Sequence, residues 1–447
     1  MNTRKDRNTV APAALPVSRR GVVKGVATAV GATALTLHYP AAFAAGAATL
    51  RIGWVAALSG PGAEFGEATA FVKGQLDRIF RGGLQIGKRR YAVDIFVRDS
   101  QSSINVATRV AIDLMTQQRV DMLVTTEALA AIGAGEMAVA NRVPMISTLF
   151  PSDALLELRG GPKAYANHGM PWTFHFMFET SDIIQAYLGM WKPVRAKLDN
   201  EVGTFYLDQP AARGFADPTH GMPHYLKAAH YDIVDGGLFK VDTDDFSGQI
   251  SKFKSGHAQT VTGFMFPSHF ALFWRQAAQS RYKPEVVTVA GAFLFPAGVD
   301  ALGDRGNGVS TEIWWTPRLP YTSSLTGQSA HALALAWEHA EGKQWTPALG
   351  YTHAAWEIAV HALRTSGDPL DREAVRKALA ETDLQTVIGK VDFRHAPIPG
   401  IAKTPLVAGQ WRLARKGPYK YELLVTYAPP SSVFKVQDQF MLLSQLR

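Results

Sequence analysis

From Leu50 onward, short apolar runs alternate with longer stretches in which apolar residues recur every three or four positions. Leu50 to Val55, Tyr91 to Val97, Val120 to Val124 and Met145 to Ser147 read as strands. Between them, Ala68, Phe71, Val72, Leu76, Ile79 and Phe80 form one helical stripe, and Ile104, Ala107, Ala111 and Leu114 form another. Ala128 to Ala140 predicts a third helix. Alternating strand and helix is the pattern of an α/β domain, a mostly parallel sheet covered on both faces. After the aromatic stretch Trp172 to Phe178 a second series begins, with strands at Val202 to Leu207, Tyr231 to Val234, Val261 to Phe266 and Val286 to Ala290. Val309 to Trp315 adds a strand. Helices follow at Ala330 to Glu341, Thr352 to Thr365 and Asp371 to Ala380, the last with Asp371 as its N-cap. Residues 405–427 read as a closing β-ribbon.

The first 44 residues follow neither pattern. Ser18-Arg19-Arg20-Gly21-Val22-Val23-Lys24 resembles the twin-arginine export signal, and Gly25 to Leu37 is the mildly apolar segment expected after it. Ala42-Phe43-Ala44 fits a small-x-small cleavage site. His38, Tyr39 and Pro40 interrupt the apolar run before it could cross the roughly 30 Å of a bilayer core. The expectation is cleavage near Ala44, with the twin-arginine export machinery as a partner and the periplasm as the destination.

Charge changes the picture little once this segment is set aside. The chain of 447 residues carries a formal +8. Arg4, Lys5, Arg7, Arg19, Arg20 and Lys24 against Asp6 leave +5 in the first 44 residues, so the rest holds 8 − 5 = +3. Without a long basic run, nucleic-acid binding is not expected. Apolar residues at 47% and charged residues at 19% are globular values, enough for two cores. Cysteine is absent, which excludes disulfides, thiolate metal sites and an N-terminal lipidated cysteine.

Several segments together resemble the leucine/isoleucine/valine-binding family of periplasmic receptors. Ser59-Gly60-Pro61-Gly62-Ala63-Glu64-Phe65-Gly66-Glu67 is similar to that family's first binding loop. Arg98-Asp99-Ser100 with Ala107 and Ala111 resembles its second strand and helix, and Asn141-Arg142-Val143-Pro144-Met145-Ile146-Ser147 its fourth strand entry. Ala374-Val375-Arg376-Lys377-Ala378-Leu379, with Gly389 and Phe393, is similar to its C-terminal elements. The resemblance implies the type I periplasmic binding protein fold, two Rossmann-like lobes joined by three chain crossings. Its mapping gives 1–44 as signal peptide, 49–172 and 316–400 as lobe 1, and 173–315 and 401–447 as lobe 2. It also implies capture of an amino acid-like or organic carboxylate ligand, delivery to an ABC permease in the inner membrane, and hinge closure as the signal.

In open α/β sheets ligands lie beyond the carboxyl ends of the strands, near helix N-termini. Here those positions are Ser59 to Phe65, Thr125 to Leu129, Thr148 to Ser152, Asp208 to Gly214, Phe266 to Phe270 (with His269 as candidate) and Ala290 to Leu294 (with Ala292). Phe65 matches the position where the family packs an aromatic against its ligand. The family's Ser, four residues after a Gly, falls at Leu129, with Thr125 at the Gly; Thr126 or Glu127 is left to substitute. Its small residue and Thr fall at Leu149 and Pro151, beside Phe150, and its second-lobe aromatic falls at Arg213. No acid stands in Ala290 to Phe293 to meet an ammonium. These departures point to a carboxylate with an apolar body, gripped by Arg213 and walled by Phe65 and Phe150. Glu127 or Glu179 reaching the cleft would reverse that argument.

Other constellations point to no cofactor, metal or catalysis. His220 and His224 have metal-like spacing, but Pro223 breaks the helix that would present both. Gly303, Gly306 and Gly308 do not open a helix after a strand, as a nucleotide loop would. There is no Gly-x-Ser-x-Gly elbow and no cysteine nucleophile. Asp244-Asp245 reads as a helix start, and Trp314-Trp315 as packing at a lobe crossing. A transport receptor is the leading expectation. A sensor docking to a signalling protein would share the fold, and an exported enzyme would need a constellation the chain lacks.

Overall fold

The computed structural model describes residues 48–161, 163, 170–430 and 432–446. The export segment read at 1–44 lies outside them. Two seven-stranded sheets carry the architecture. The first runs in the order β14-β6-β5-β4-β1-β3-β2, built from β1 (Thr49–Ala56), β2 (Leu84–Ile86), β3 (Arg89–Asp99), β4 (Met122–Thr125), β5 (Met145–Ser147), β6 (Thr173–Phe176) and β14 (Ile401–Ala402). All its pairs are parallel except the β2–β3 hairpin. The second runs β16-β15-β11-β10-β9-β7-β8, from β7 (Glu201–Leu207), β8 (Asp232–Phe239), β9 (Thr260–Phe264), β10 (Val286–Ala290), β11 (Ser310–Ile313), β15 (Val407–Leu413) and β16 (Tyr421–Tyr427). Its β15–β16 ribbon is antiparallel. A separate hairpin, β12 (Asp383–Thr386) with β13 (Gly389–Asp392), completes the strands.

The strands form because they are buried on both faces. β4, β5, β6, β9, β10 and β11 are buried almost throughout, which parallel strands under helices require. That burial also explains where the sequence pattern misleads. β6, Thr173-Phe174-His175-Phe176, is four residues long and buried on both faces, so its aromatics read as a connecting stretch. Instead Thr173, Phe174 and His175 pair with Met145, Ile146 and Ser147 in the first sheet. Ile401 and Ala402 likewise pair with His175 and Phe176. Both strands had been set in lobe 2 by the boundaries at 173 and 401. The chain leaves the first sheet after β6, returns after β11, and leaves again after β14.

Helices cover both sheets. The long Pro347–Thr365 helix begins a turn and a half earlier than its apolar pattern indicates and is buried along nearly its whole length. Trp356 on it packs edge-on against Trp54 of β1 at 5.0 Å. Each fully buried aromatic of this kind contributes roughly 2–3 kcal/mol of apolar burial. Asp371 caps its helix by accepting from the Glu373 N–H at 2.9 Å. Asp245 accepts from the backbone and hydroxyl of Ser247, whereas Asp244 accepts through its carbonyl from Gln276. Among the described residues no helix is long and apolar enough to cross a membrane.

Candidate functional site

The carboxyl ends of both sheets' strands face one cavity of about 250 Å³. Loops after β1, β3, β4, β5 and β6 line one side, and loops after β7, β8, β9, β10 and β11 the other. Its walls are apolar: Phe65, Leu129, Leu149, Phe150, Met177, Phe178, Ile183, Val241, Phe264, Phe266, Leu294 and Trp314 all contribute. The polar side chains among the lining residues are Ser102, Glu127, Gln209 and Glu312, and the indole N–H of Trp314 is buried without a partner. Among the described residues no Lys, Arg or His lines it.

Phe65 is positioned by a tightly pinned loop. It sits in the short turn Ala63–Gly66, where Gly66 passes so close to Ala57 that a Cβ would lie 1.8 Å from the Ala57 carbonyl oxygen. Ser102 holds the same loop, accepting from the Gly62 N–H at 3.0 Å and donating to the Ser59 carbonyl at 2.9 Å. Phe65 then meets Phe295, from the second sheet's side, edge-on at 4.9 Å, and stacks near Trp314 at 6.0 Å. Ser59 itself points elsewhere. Its hydroxyl donates to Asp99 at 2.6 Å, and the carboxylate also accepts from the Leu58, Ser59 and Gln101 N–H groups. Burial alone would raise the Asp99 pKa; these bonds outweigh it and hold the group below its usual range.

Of the sequence candidates, Phe65, Leu129, Leu149 and Phe150 line the cavity, while Ser59, Thr126, Arg213, His269 and Ala292 do not. Thr126 is buried and accepts from the Trp54 indole N–H at 2.9 Å. Ala292 is buried in the core behind the wall. His269 acts from behind: its Nε2 meets the carbonyl oxygen of Val241, a wall residue, at 2.9 Å. Arg213 corrects the expected carboxylate grip. Its guanidinium donates to Asp208 at 2.6 Å, with the Arg213 side chain 65% exposed. It lines a second, polar pocket of about 760 Å³ together with Asp153, Glu157, Glu179, Asp208 and Asp217. A side chain long enough to reach inward has a carboxylate partner outside.

The cavity holds residues that sequence reasoning missed or misplaced. Trp314 was set as packing at a crossing, yet it lines the cavity and touches Phe65, Phe178 and Tyr351. Its neighbour Trp315 is the packing residue, with its indole N–H on the Val387 carbonyl at 3.1 Å. Glu312, passed over because it lies within a strand, is 1% exposed and lines the cavity. Burial pushes its carboxyl above the usual range, partly offset by donors from Tyr187, Thr311 and the Gly291 backbone. Thr311 donates at 2.9 Å. Gly291 can present its N–H because φ is +76°, a conformation that favours glycine. Glu127, one of the two alternatives after β4, is the lining residue. It caps the Ala128–Ala140 helix by accepting from the Leu129 and Ala130 N–H groups at 2.8 and 2.7 Å. Burial raises its pKa too, against those same bonds.

Two further features shape the wall. Leu149 has φ +65°, the left-handed region a bulky side chain rarely adopts. Strain of this kind costs about 1–3 kcal/mol and concentrates at ligand-contacting positions. Behind it His175, wholly buried, donates through Nε2 to the Phe150 carbonyl at 2.7 Å while Nδ1 meets the Ser147 hydroxyl at 2.9 Å. Burial lowers its pKa to about 4, so the ring is neutral. Away from the cavity, Asp383, Asp392 and His395 come together as the one group of metal-ligating type among the described residues. Lys390 already lies 3.0 and 2.9 Å from its two carboxylates.

Comparison with known proteins agrees with this geometry. Residues 49–417 match the periplasmic binding protein family. The leucine-binding protein LivK of Thermotoga maritima superposes with a TM-score of 0.66 at 15% identity, over 85% of this chain and 99% of its own. LivJ of Streptococcus pneumoniae, a branched-chain amino acid transporter substrate-binding protein solved with isoleucine, gives 0.65 at 16%, over 84% and 99%. An ABC transporter solute-binding protein of R. palustris, solved with benzoate, gives 0.63 at 19%, over 85% and 97%. At these identities the likeness is one of fold.

Proposed function

The chain belongs to the periplasmic binding protein family, and from that premise we propose that it is the exported receptor of an ABC importer, taking one small organic molecule into the cavity between its two lobes. The observation that carries this reading is the cavity itself, lined by strand-end loops of both sheets, with Phe65 of one side meeting Phe295 of the other. A pocket made by two bodies is completed only when they approach, so ligand and closure stabilise each other. Its size suits ligands like those of the solved relatives: a cavity of about 150 Å³ already accepts benzene. The lobes exchange chain at three places, after β6, β11 and β14, and these crossings are the proposed hinge. The export segment at 1–44 would deliver the receptor to the periplasm, where closure is read by the permease.

A micromolar ligand has about 8 kcal/mol of binding free energy, enough to make a closed state dominant if it binds that state selectively. A thermal-shift screen of small metabolites followed by small-angle scattering tests the reading. A hit should make the particle more compact. An unchanged profile with binding established by calorimetry would rule out hinge closure, and a screen without any hit would remove the receptor reading.

A further inference from the structure

We infer that the ligand is an organic ammonium with an apolar, ring-sized body, recognised by Glu312 inside a box of aromatic side chains. This rests on the receptor reading and names its substrate class.

Three independent observations converge. First, among the described residues the charged side chains lining the cavity are two acids, Glu127 from the first sheet's side and Glu312 from the second. Burial disfavours the charged form of both acids, and a cationic ligand is the partner that restores it on binding. Second, most of the donors a carboxylate ligand would need are already taken, the Trp314 indole N–H being one buried donor left without a partner. Glu127 occupies the Leu129 and Ala130 N–H groups, and Gln209 accepts from the Ala211 N–H at 3.1 Å. The helices entering the cleft at Pro210, Pro267 and Pro296 each lack an N–H at their first position. An anion would thus enter an apolar chamber beside two acids and with few free donors. Third, Phe65, Phe150, Phe178, Phe264, Phe266 and Trp314 all line the chamber. Aromatic faces attract an alkylammonium through the ring quadrupole and reject an anion.

The approach has the same sign. Among the described residues the outer pocket carries Asp153, Glu157, Glu179, Asp208 and Asp217, and its one arginine, Arg213, is paired with Asp208. Glu179 is paired with Lys403 at 2.8 Å. The remaining acidic excess draws cations toward the mouth.

Calorimetry with three probes of one shape, 2-phenylethylamine, 2-phenylethanol and phenylacetate, tests this on the wild type, Glu312→Gln and Glu127→Gln. The amine should bind at least about tenfold more tightly than the alcohol and the acid, and Glu312→Gln should erase that margin. The wild-type ranking needs no variant to fold, and Glu127→Gln should lower amine affinity by a smaller factor. Phenylacetate binding as well as the amine would overturn the inference, as would equal binding of the alcohol or no binding of the amine. A thermal-shift hit of another chemical class alongside that result would leave the receptor reading standing, whereas a screen without hits would remove both.

Discussion

The inner cavity and the outer pocket share Gln209 and Pro210, yet they are opposite environments. The inner one is walled by aromatic and aliphatic side chains and carries two buried acids. The outer one is polar, rich in acids and holds Arg213, which sequence reasoning assigns to ligand binding. The difference shows where a charged group can act. Arg213, exposed and paired, is screened by water and by Asp208. Glu312, enclosed by Tyr187, Thr311 and the Gly291 N–H, is held above the usual carboxylate range by burial, so a cation beside it would act almost unscreened.

If the inner wall is the recognition surface, removing its largest ring should have the greatest effect. Trp314→Ala should weaken binding of the ligand found by screening by at least about 30-fold, some 2 kcal/mol, as central aromatic anchors do. Calorimetry with the purified variant checks this. An affinity within threefold of wild type would shift recognition to the outer pocket.

The largest effect on stability, as distinct from affinity, is on the acid side, through His175, which props the Phe150 carbonyl from behind. Its folded pKa is about 4 against an ordinary 6.5. Between these values the unfolded chain takes up a proton that the folded one refuses. The contribution is therefore complete above pH 6.5 and is lost as pH falls toward 4, up to about 3 kcal/mol. Glu67 and Glu357, each raised to about 7 by burial, act with the opposite sign between 4.5 and 7. The readout is accordingly a difference: His175→Gln keeps an N–H donor but does not titrate. Urea denaturation at pH 7, 5.5 and 4.5 should show the stability gap between wild type and variant narrowing on acidification. A constant gap would mean that His175 is protonated in the fold.

Most of the scaffold was legible because its periodicity is strong. The strands at Leu50, Met145, Val202 and Val286 and the closing ribbon all stand where apolar runs predict them. β6 and β14 were not: the Thr173-Phe174-His175-Phe176 strand lies inside a longer aromatic stretch and is buried on both faces, and a two-residue strand is too short for any pattern. In the site, loop aromatics such as Phe65 and Phe150 were legible from their place after strands. Glu312 was not, because the carboxyl-end rule directs attention to loops and this residue lies inside β11, near its end. Arg213 was misassigned for a related reason: a pattern reveals which residues stand near a cleft but not which neighbour, here Asp208, has already engaged them.

A smaller effect is expected at Gly291, which donates to Glu312 from a left-handed backbone. A Cβ there would lie 2.8 Å from the Met265 carbonyl oxygen at φ +76°. Gly291→Ala should cost about 1–2 kcal/mol in denaturant unfolding. It should also weaken ligand binding, because the shifted N–H no longer steadies the carboxylate. Unchanged stability would show that this turn relaxes freely.

The smallest effect is the one that divides the two regions most cleanly. Arg213 is exposed, its fork is occupied by Asp208, and it lines only the outer pocket. Arg213→Ala should leave the affinity of the ligand found by screening within about twofold of wild type, the usual range for surface changes away from a buried contact. An inner-cavity ligand that does not touch the guanidinium has nothing to lose there. If the ligand is cationic, removing this positive charge from the mouth leaves Asp208 unpaired and makes the approach more acidic. The association rate should then rise slightly, and the gain should vanish as salt is added. Stopped-flow binding at two ionic strengths reads both quantities. A tenfold loss of affinity on Arg213→Ala would place an anionic ligand against that side chain and make the outer pocket, with its single arginine, the recognition site.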